Sequence, residues 1–194
     1  TGLIYRLDRF IWELAVQQLA KWQKEGRDEL YISVNISTKD FQYMDVYQTI
    51  TSLVERYGII PSTLKLEITE TAIMMGNAGE LETIGRFRNY GFEVEIDDFG
   101  SGYSSLNTLK DIDVDVLKID MGFLRTTRSE RLERSMSILN MIISLSKVLG
   151  LSVVTEGVET KEQVSRLSQM GCGVYQGYYF SKPIPVHEFE ERYM

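Results

Sequence analysis

The stretch Gly91-Phe92-Glu93-Val94-Glu95-Ile96-Asp97-Asp98-Phe99-Gly100 decides how this chain is read. Between its glycines, apolar and acidic residues alternate: Val94 and Ile96 take one side of an extended segment, Glu93, Glu95 and Asp97 the other. The alternation predicts a strand over 92–97. Its acidic side is either the wet face of a half-solvated sheet or the inner lining of a closed one. The flanking sequence bears on that choice.

Leu81, Ile84, Phe87 and Tyr90 precede Gly91 at helical spacing, so a helix, a glycine and a strand follow one another. The same phrase recurs along the chain. Leu7, Phe10, Ile11, Leu14, Ala15, Leu19 and Trp22 lead to Gly26, and Val46, Ile50, Leu53, Val54 and Tyr57 lead to Gly58. Ile138, Met141, Ile142, Leu145, Val148 and Leu149 lead to Gly150. A last helix opens with Thr160 and Gln163 in capping-box spacing, buries Val164, Leu167 and Met170, and stops at Gly171. Extended runs are expected at 31–36, 64–69, 92–97, 114–120, 151–155 and 174–180. Strands alternating with helices in this way pair in parallel, because each helix carries the chain back across the sheet.

Near the C-terminal end of each strand stands a polar residue: Asn35, Glu67, Asp97 with Asp98, Lys118 with Asp120, Glu156, and Gln176. In a parallel α/β architecture the loops after the strands share one face, and in barrels that face does the chemistry. Read strand by strand, a half-solvated sheet explains the pattern equally well. Read together it does so poorly, since helices cover one face and closure turns the other inward. Inward carboxylates need cations or basic partners. Lys118 supplies one positive charge against Glu67, Asp97, Asp98 and Glu156, a set suited to hard divalent ions such as Mg²⁺ or Mn²⁺. Two such ions about 4 Å apart activate a water and stabilise the leaving oxygen of a phosphoryl displacement. The adjacent pair Asp97-Asp98 is a natural bridge between them.

Composition narrows the classes. The 194 residues suit one domain, with 43% hydrophobic and 25% charged residues and no apolar run of the roughly 18 residues that a membrane span needs. The first residues do not read as a signal peptide, and a cytoplasmic, reducing location is expected, with any membrane anchor supplied by other domains. With one Cys and one His, an internal disulfide and a Cys/His zinc site are both excluded. Cys172 reads as a buried thiol, and His187 as a solvated residue ahead of a surface helix. The methionines at 136, 141 and 170 read as core, and Tyr178, Tyr179 and Phe180 as either packing or a stacking surface. A net charge of −7 argues against tracking a long nucleic acid but leaves room for a small anion bound through cations.

In order, Val34-Asn35-Ile36-Ser37, Glu67-Ile68-Thr69-Glu70, Asp97-Asp98-Phe99-Gly100, Lys118-Ile119-Asp120, Glu156-Gly157-Val158-Glu159-Thr160 and Gln176-Gly177-Tyr178 resemble the EAL-domain family of bacterial cyclic di-GMP phosphodiesterases. The resemblance runs from Thr1 to about Phe189. It implies a TIM-like (β/α) barrel in which cyclic di-GMP is opened by water to linear pGpG with two Mg²⁺ or Mn²⁺ ions. By resemblance, Asn35, Glu67 and Asp97 hold one ion, Asp97 bridges, and Asp98 holds the other with Glu156. Lys118 touches the attacking water or the charge developing on the phosphate, and Glu156 positions or deprotonates that water. Asp120 and Gln176 lie near the substrate. Glu70 anchors a loop after Asp98 that includes Gly100, Ser101 and Gly102, with Ser101 where the family usually has Thr. In the family this loop links dimer contacts to metal binding.

The Glu-Ala-Leu-type motif that names the family does not occur, nor do the metal ligand, the substrate-binding Arg and the first two strands that accompany it. About six of eight strands are therefore expected, in a single N-terminally truncated EAL-type domain spanning 1–194. Such a chain is expected to be less stable than the full domain and prone to pair with a second copy. Thr155 stands where a small Ala is usual. Expected partners are cyclic di-GMP, a homodimer mate and fused sensor or GGDEF domains. Alternatives to the enzyme are a non-catalytic cyclic di-GMP receptor and a dimerising regulatory domain.

Overall fold

In a computed structural model, residues 3–100, 112–120, 122 and 129–194 are described. The chain divides into two compact units, Thr1–Leu117 and Lys118–Met194.

The first unit carries α1 (Ile4–Lys24), β1 (Ile32–Ile36), α2 (Thr38–Tyr43), α3 (Val46–Tyr57), a short 3₁₀ turn (Pro61–Thr63), β2 (Leu64–Thr69), α4 (Glu70–Met75), α5 (Ala78–Tyr90) and β3 (Glu93–Phe99). Parallel pairing joins β1 to β2 and β2 to β3. Each long helix stops where the sequence places a glycine. Gly58 and Gly91 adopt left-handed backbone, with φ of 68° and 110°, and turn the chain into the next strand. At the opposite helix ends, Asp45 accepts from Gln48 N, and Asn77 forms a capping box with Glu80.

The pleat sorts the strands as the alternation predicts. Val34, Ile36, Leu64, Leu66, Ile68, Val94 and Ile96 are buried, along with Trp12, Val16, Leu19, Ile50, Leu53, Ile84 and Phe87 from the helices. Removing one such side chain, as in Leu66→Ala, costs about 2–5 kcal/mol. The other face bears Ser33, Asn35, Lys65, Glu67, Thr69, Glu93, Glu95 and Asp97. Arg88 of α5 grips the Asp115 carboxylate through Nε and Nη2, while Asp115 also accepts from Val94 N and donates its own N–H to Val94 O. This contact holds the approach to the next strand against β3.

From β4 (Val116–Ile119), which straddles the unit boundary, the second unit continues through α6 (Ser129–Val148), β5 (Ser152–Thr155), α7 (Lys161–Gln169), β6 (Val174–Tyr175) and α8 (Val186–Tyr193). β5 and β6 pair in parallel, and Glu156 N donates to Ile119 O. Gly150 and Gly171 end α6 and α7 with positive φ, and the Thr160/Gln163 capping box forms as its spacing predicts. Cys172 is buried beside the Thr155 hydroxyl, so Thr155 packs on the chain's single thiol.

Some expectations fail in detail. Leu7, Phe10, Ile11 and Leu14 of α1 are exposed, while Ala15, Leu19 and Trp22 are buried as expected and are joined by Trp12 and Val16. This helix carries two apolar stripes, and spacing alone picked the wrong one for its first half. Met141 is exposed rather than core, as are Ile138 and Val148, because Leu139 and Ile143 form the buried stripe of α6. The last strand ends at Tyr175 rather than near Phe180, because Phe180 N and Ser181 N both turn back to Gly177 O. Tyr178, Tyr179 and Phe180 are exposed.

Candidate metal and phosphate site

In the first unit, strand register assembles much of the acidic set. Asn35 stands directly opposite Glu67, and Glu67 opposite Glu95, so one rung crosses three strands. Asp97 stands opposite Thr69, one pleat repeat beyond that rung. Neighbouring strands lie about 4.8 Å apart, so Asn35, Glu67 and Asp97 follow one another across the polar face of three adjoining strands. Asp97 and Asp98 each bring a carboxylate oxygen within 4.8 Å of the other's. Asp98 has φ 56°, the one positive φ outside glycine among the described residues. Asp tolerates the left-handed region better than most side chains, and here it breaks the alternation that would otherwise send consecutive carboxylates to opposite faces.

Two contacts fix the ends of these strands. Trp12 Nε1 of α1 donates to the Asn35 carbonyl at 3.0 Å, tying the last turn of β1 to a fully buried indole. Glu70, the first residue of α4, accepts from Gly100 N through Oε2 at 2.9 Å. Its Oε1 is buried with no hydrogen-bond donor among the described residues. Ser101 and Gly102, the remainder of the expected loop anchor, lie outside the described residues.

Below the Asn35–Glu67 rung lies a layer that the alternation showed but did not pair. Lys65 Nζ sits 2.6 Å from Glu93 Oε1 and 3.5 Å from Glu95 Oε1, and 3.9 Å from the centre of the Tyr31 ring. Ser33 Oγ donates to Glu95 Oε2. Burial alone pulls the Lys65 ammonium toward neutrality, but the Glu93 hydrogen bond and charge, joined by Glu95 and Tyr31, push its pKa above the ordinary lysine value. The signal for this layer was present as Lys65 and Glu95, two residues before Glu67 and Asp97, with Glu93 two residues further back. Only the register shows which partners meet.

The second unit holds a close ion pair of its own. Lys118, 4% exposed, places Nζ 2.7 Å from Glu156 Oε1. Asp120 follows β4 and accepts from Gly122 N. Gln176 is exposed just past β6, its backbone bonded both to Thr155 O and to Val158 N. His187 is exposed on α8 and Cys172 is buried, so neither joins the oxygen-bearing set.

The donor set fits a hard divalent cation. It comprises carboxylate and amide oxygens, with Glu67 at 9% exposure and Asp97 half-buried, and soft ligands stand elsewhere.

Comparison with known proteins agrees. The EAL domain family matches residues 1–183. Signaling protein YkoW of Bacillus subtilis is 35% identical over 191 residues, covering 98% of this chain and 24% of that protein. Cyclic di-GMP phosphodiesterase RocR of Pseudomonas aeruginosa is 32% identical over 185 residues, covering 94% of this chain and 47% of that protein. The solved PaMucR phosphodiesterase in complex with c-di-GMP superposes with a TM-score of 0.90 at 32% identity, over 97% of this chain and 76% of that one. The chain thus spans about a quarter to a half of the curated relatives it matches.

Proposed function

We propose, from the premise that this chain belongs to the EAL domain family, that its α/β, TIM-barrel-like fold hydrolyses cyclic di-GMP to linear pGpG with divalent metal ions. One observation carries the reading: Asn35, Glu67 and Asp97 come from consecutive parallel strands onto one polar face, at the strand ends where barrel enzymes act.

In this reading Asn35, Glu67, Asp97, Asp98 and Glu156 hold two Mg²⁺ or Mn²⁺ ions. Bound there, the ions supply a water acidic enough to attack at neutral pH and charge to offset the phosphate. The residues of the chain do the rest. Asp97 and Asp98, adjacent in sequence and in space, offer carboxylate oxygens to both ion positions. Lys118 holds Glu156 Oε1, and the Glu156 carboxylate is the group that would accept from the attacking water and orient it. The Lys118 ammonium also opposes negative charge gathering on the phosphate. Asp120 and Gln176 lie against the substrate. Glu70 holds Gly100, the residue that follows Phe99 at the end of β3, and so anchors the chain just after Asp98.

The proposal extends to the whole protein. The relatives are two to four times longer, which supports fusion to sensor or GGDEF domains, and the continuous match over 1–183 supports one EAL-type domain here. No helix among the described residues is long and apolar enough to cross a membrane. A cytoplasmic location and a homodimer complete the reading, the latter checked by light scattering.

The test is a chromatographic assay for pGpG. Turnover with Mg²⁺ or Mn²⁺ that vanishes with chelator and in Glu156→Ala supports the enzyme. Metal-dependent binding of cyclic di-GMP without turnover makes the protein a receptor instead.

A further inference from the structure

We infer that Lys65 and Glu95 form a buried counter-charge pair that sets the cation affinity of the adjacent carboxylates; the inference rests on the metal-binding reading above. Glu95 is 3% exposed, deep enough that its carboxylate requires compensation. Compensation comes from Lys65 Nζ at 3.5 Å and from the Ser33 hydroxyl at 3.2 Å. Its place in the sheet gives the pair its consequence. Glu95 is the register partner of Glu67 and stands two residues before Asp97 on the same face of β3. A charge at that position acts on Glu67 across about one strand spacing and on Asp97 from about 7 Å along the same strand, through protein rather than water.

Each partner alone would disturb the ligands in an opposite sense. Without Glu95 the Lys65 ammonium keeps only Glu93, and the field at the ligands becomes more positive and opposes incoming cations. An uncompensated Glu95 carboxylate would attract them, or take up a proton and become silent. With Glu93 also 2.6 Å from Lys65 Nζ, the layer carries one ammonium and two carboxylates, so Glu95→Gln removes a negative charge beside the ligands and Lys65→Met a positive one. Lys65 and Glu95 are therefore positioning residues that act through Glu67 and Asp97. The Lys65 ammonium is held in place by Glu93 at 2.6 Å and by the face of the Tyr31 ring.

The opposed signs make the test. Mn²⁺ binding to the purified protein is measured by calorimetry without substrate, in parallel with thermal unfolding of the metal-free protein. Glu95→Gln keeps shape and hydrogen bonding, and is expected to raise the Mn²⁺ Kd about tenfold. Lys65→Met is expected to leave the Kd unchanged or lower it, even though it lowers thermal stability. Lys65→Met with Glu95→Gln is expected to return the Kd to within about twofold of the parent. A purely structural role predicts that both single variants weaken binding in step with lost stability, and that result overturns the inference. An unchanged Kd in Glu95→Gln overturns it too and leaves the metal-binding reading standing. Failure of the parent to bind Mn²⁺ overturns both. If Glu95→Gln does not fold, Lys65→Met alone decides, because a raised Kd there contradicts the predicted sign.

Discussion

The N–H of Gly100 donates to Glu70 Oε2 at 2.9 Å, joining the first residue of α4 to the end of β3 directly after the Asp97-Asp98 pair. Gly100 has φ 90°, so its N–H is aimed by a turn that side chains resist, and Glu70 is 6% exposed. The contact is thus a fixed strut between a helix start and the proposed ligands. Glu70→Gln keeps an acceptor oxygen and is expected to stay within a fewfold of parent turnover. Glu70→Ala removes it and is expected to lose about tenfold to a hundredfold in kcat through misplacement of Asp98. Steady-state assays of the two variants check this, and equal rates would refute it.

Lys118 and Glu156 invite a different pair of variants. With Nζ and Oε1 at 2.7 Å and the lysine nearly fully buried, removing either partner deprives the other of this contact in a poorly solvated place. Lys118→Met is expected to lower both the unfolding midpoint and turnover. Glu156→Gln retains a hydrogen-bond acceptor for the ammonium, so it should lose less stability while turnover falls about 10²–10⁴-fold. Thermal unfolding run beside the pGpG assay separates the two effects. Glu156→Gln with turnover near the parent's would remove Glu156 from the chemistry.

What the sequence made legible, and what it did not, follows from how far each interaction reaches along the chain. The helix-glycine-strand phrase is local, and Gly58, Gly91, Gly150 and Gly171 all end helices with positive φ as expected. The polar face was legible because a strand's pleat has a strict period of two, which places Lys65, Glu67 and Thr69 together whatever lies beside them. Pairing across strands was not. Nothing in residues 33, 65 and 95 taken separately says that Ser33 and Lys65 both meet Glu95; the register does. Helix faces failed for a related reason. In α1 two apolar stripes compete, and only tertiary packing selects the one with Trp12 and Val16 over the one with Leu7 and Phe10.

Asp8 and Asp40 form a carboxyl pair whose pH behaviour has a defined sign. Asp40 is fully buried and caps α2 through Oδ2, which accepts from both Ser37 N and Ser37 Oγ. Its Oδ1 lacks a hydrogen-bond donor among the described residues, and a protonated Asp8 can supply one. Burial first, then the Asp40 charge and hydrogen bond, raise the Asp8 pKa above its ordinary value. The folded state then holds the Asp8 proton more tightly than the unfolded state. This contribution to stability is full below the unfolded pKa and is lost as pH rises through the folded one. Asp8→Asn supplies a permanent donor to Asp40. It is expected to be more stable than the parent at pH 7, and the advantage should shrink as pH falls toward 4. Denaturant unfolding at a series of pH values measures the difference, and an advantage that grows on acidification would contradict the pairing.

Gly177 makes the sharpest steric prediction. A Cβ built there would lie 2.2 Å from Val158 O and 2.3 Å from Val158 N, separations that no real side chain sustains, and both obstacles are backbone. The crowding is the product of hydrogen bonding, since Val158 N donates to Gln176 O and Tyr179 N donates to Val158 O, so the two segments cannot part without losing both bonds. Gly177→Ala must therefore break this double contact or push the chain after β6 outward. Overpacking of that kind costs about 1–3 kcal/mol, and each lost bond adds about 1 kcal/mol. Because Gln176 is the preceding residue, displacement should also appear in binding: KM for cyclic di-GMP rises by a larger factor than kcat falls. Denaturant unfolding and steady-state kinetics test the two halves separately. Unfolding within about 0.5 kcal/mol of the parent would mean that the Val158 contact yields more easily than its geometry allows. A changed kcat with unchanged KM would instead take Gln176 away from the substrate.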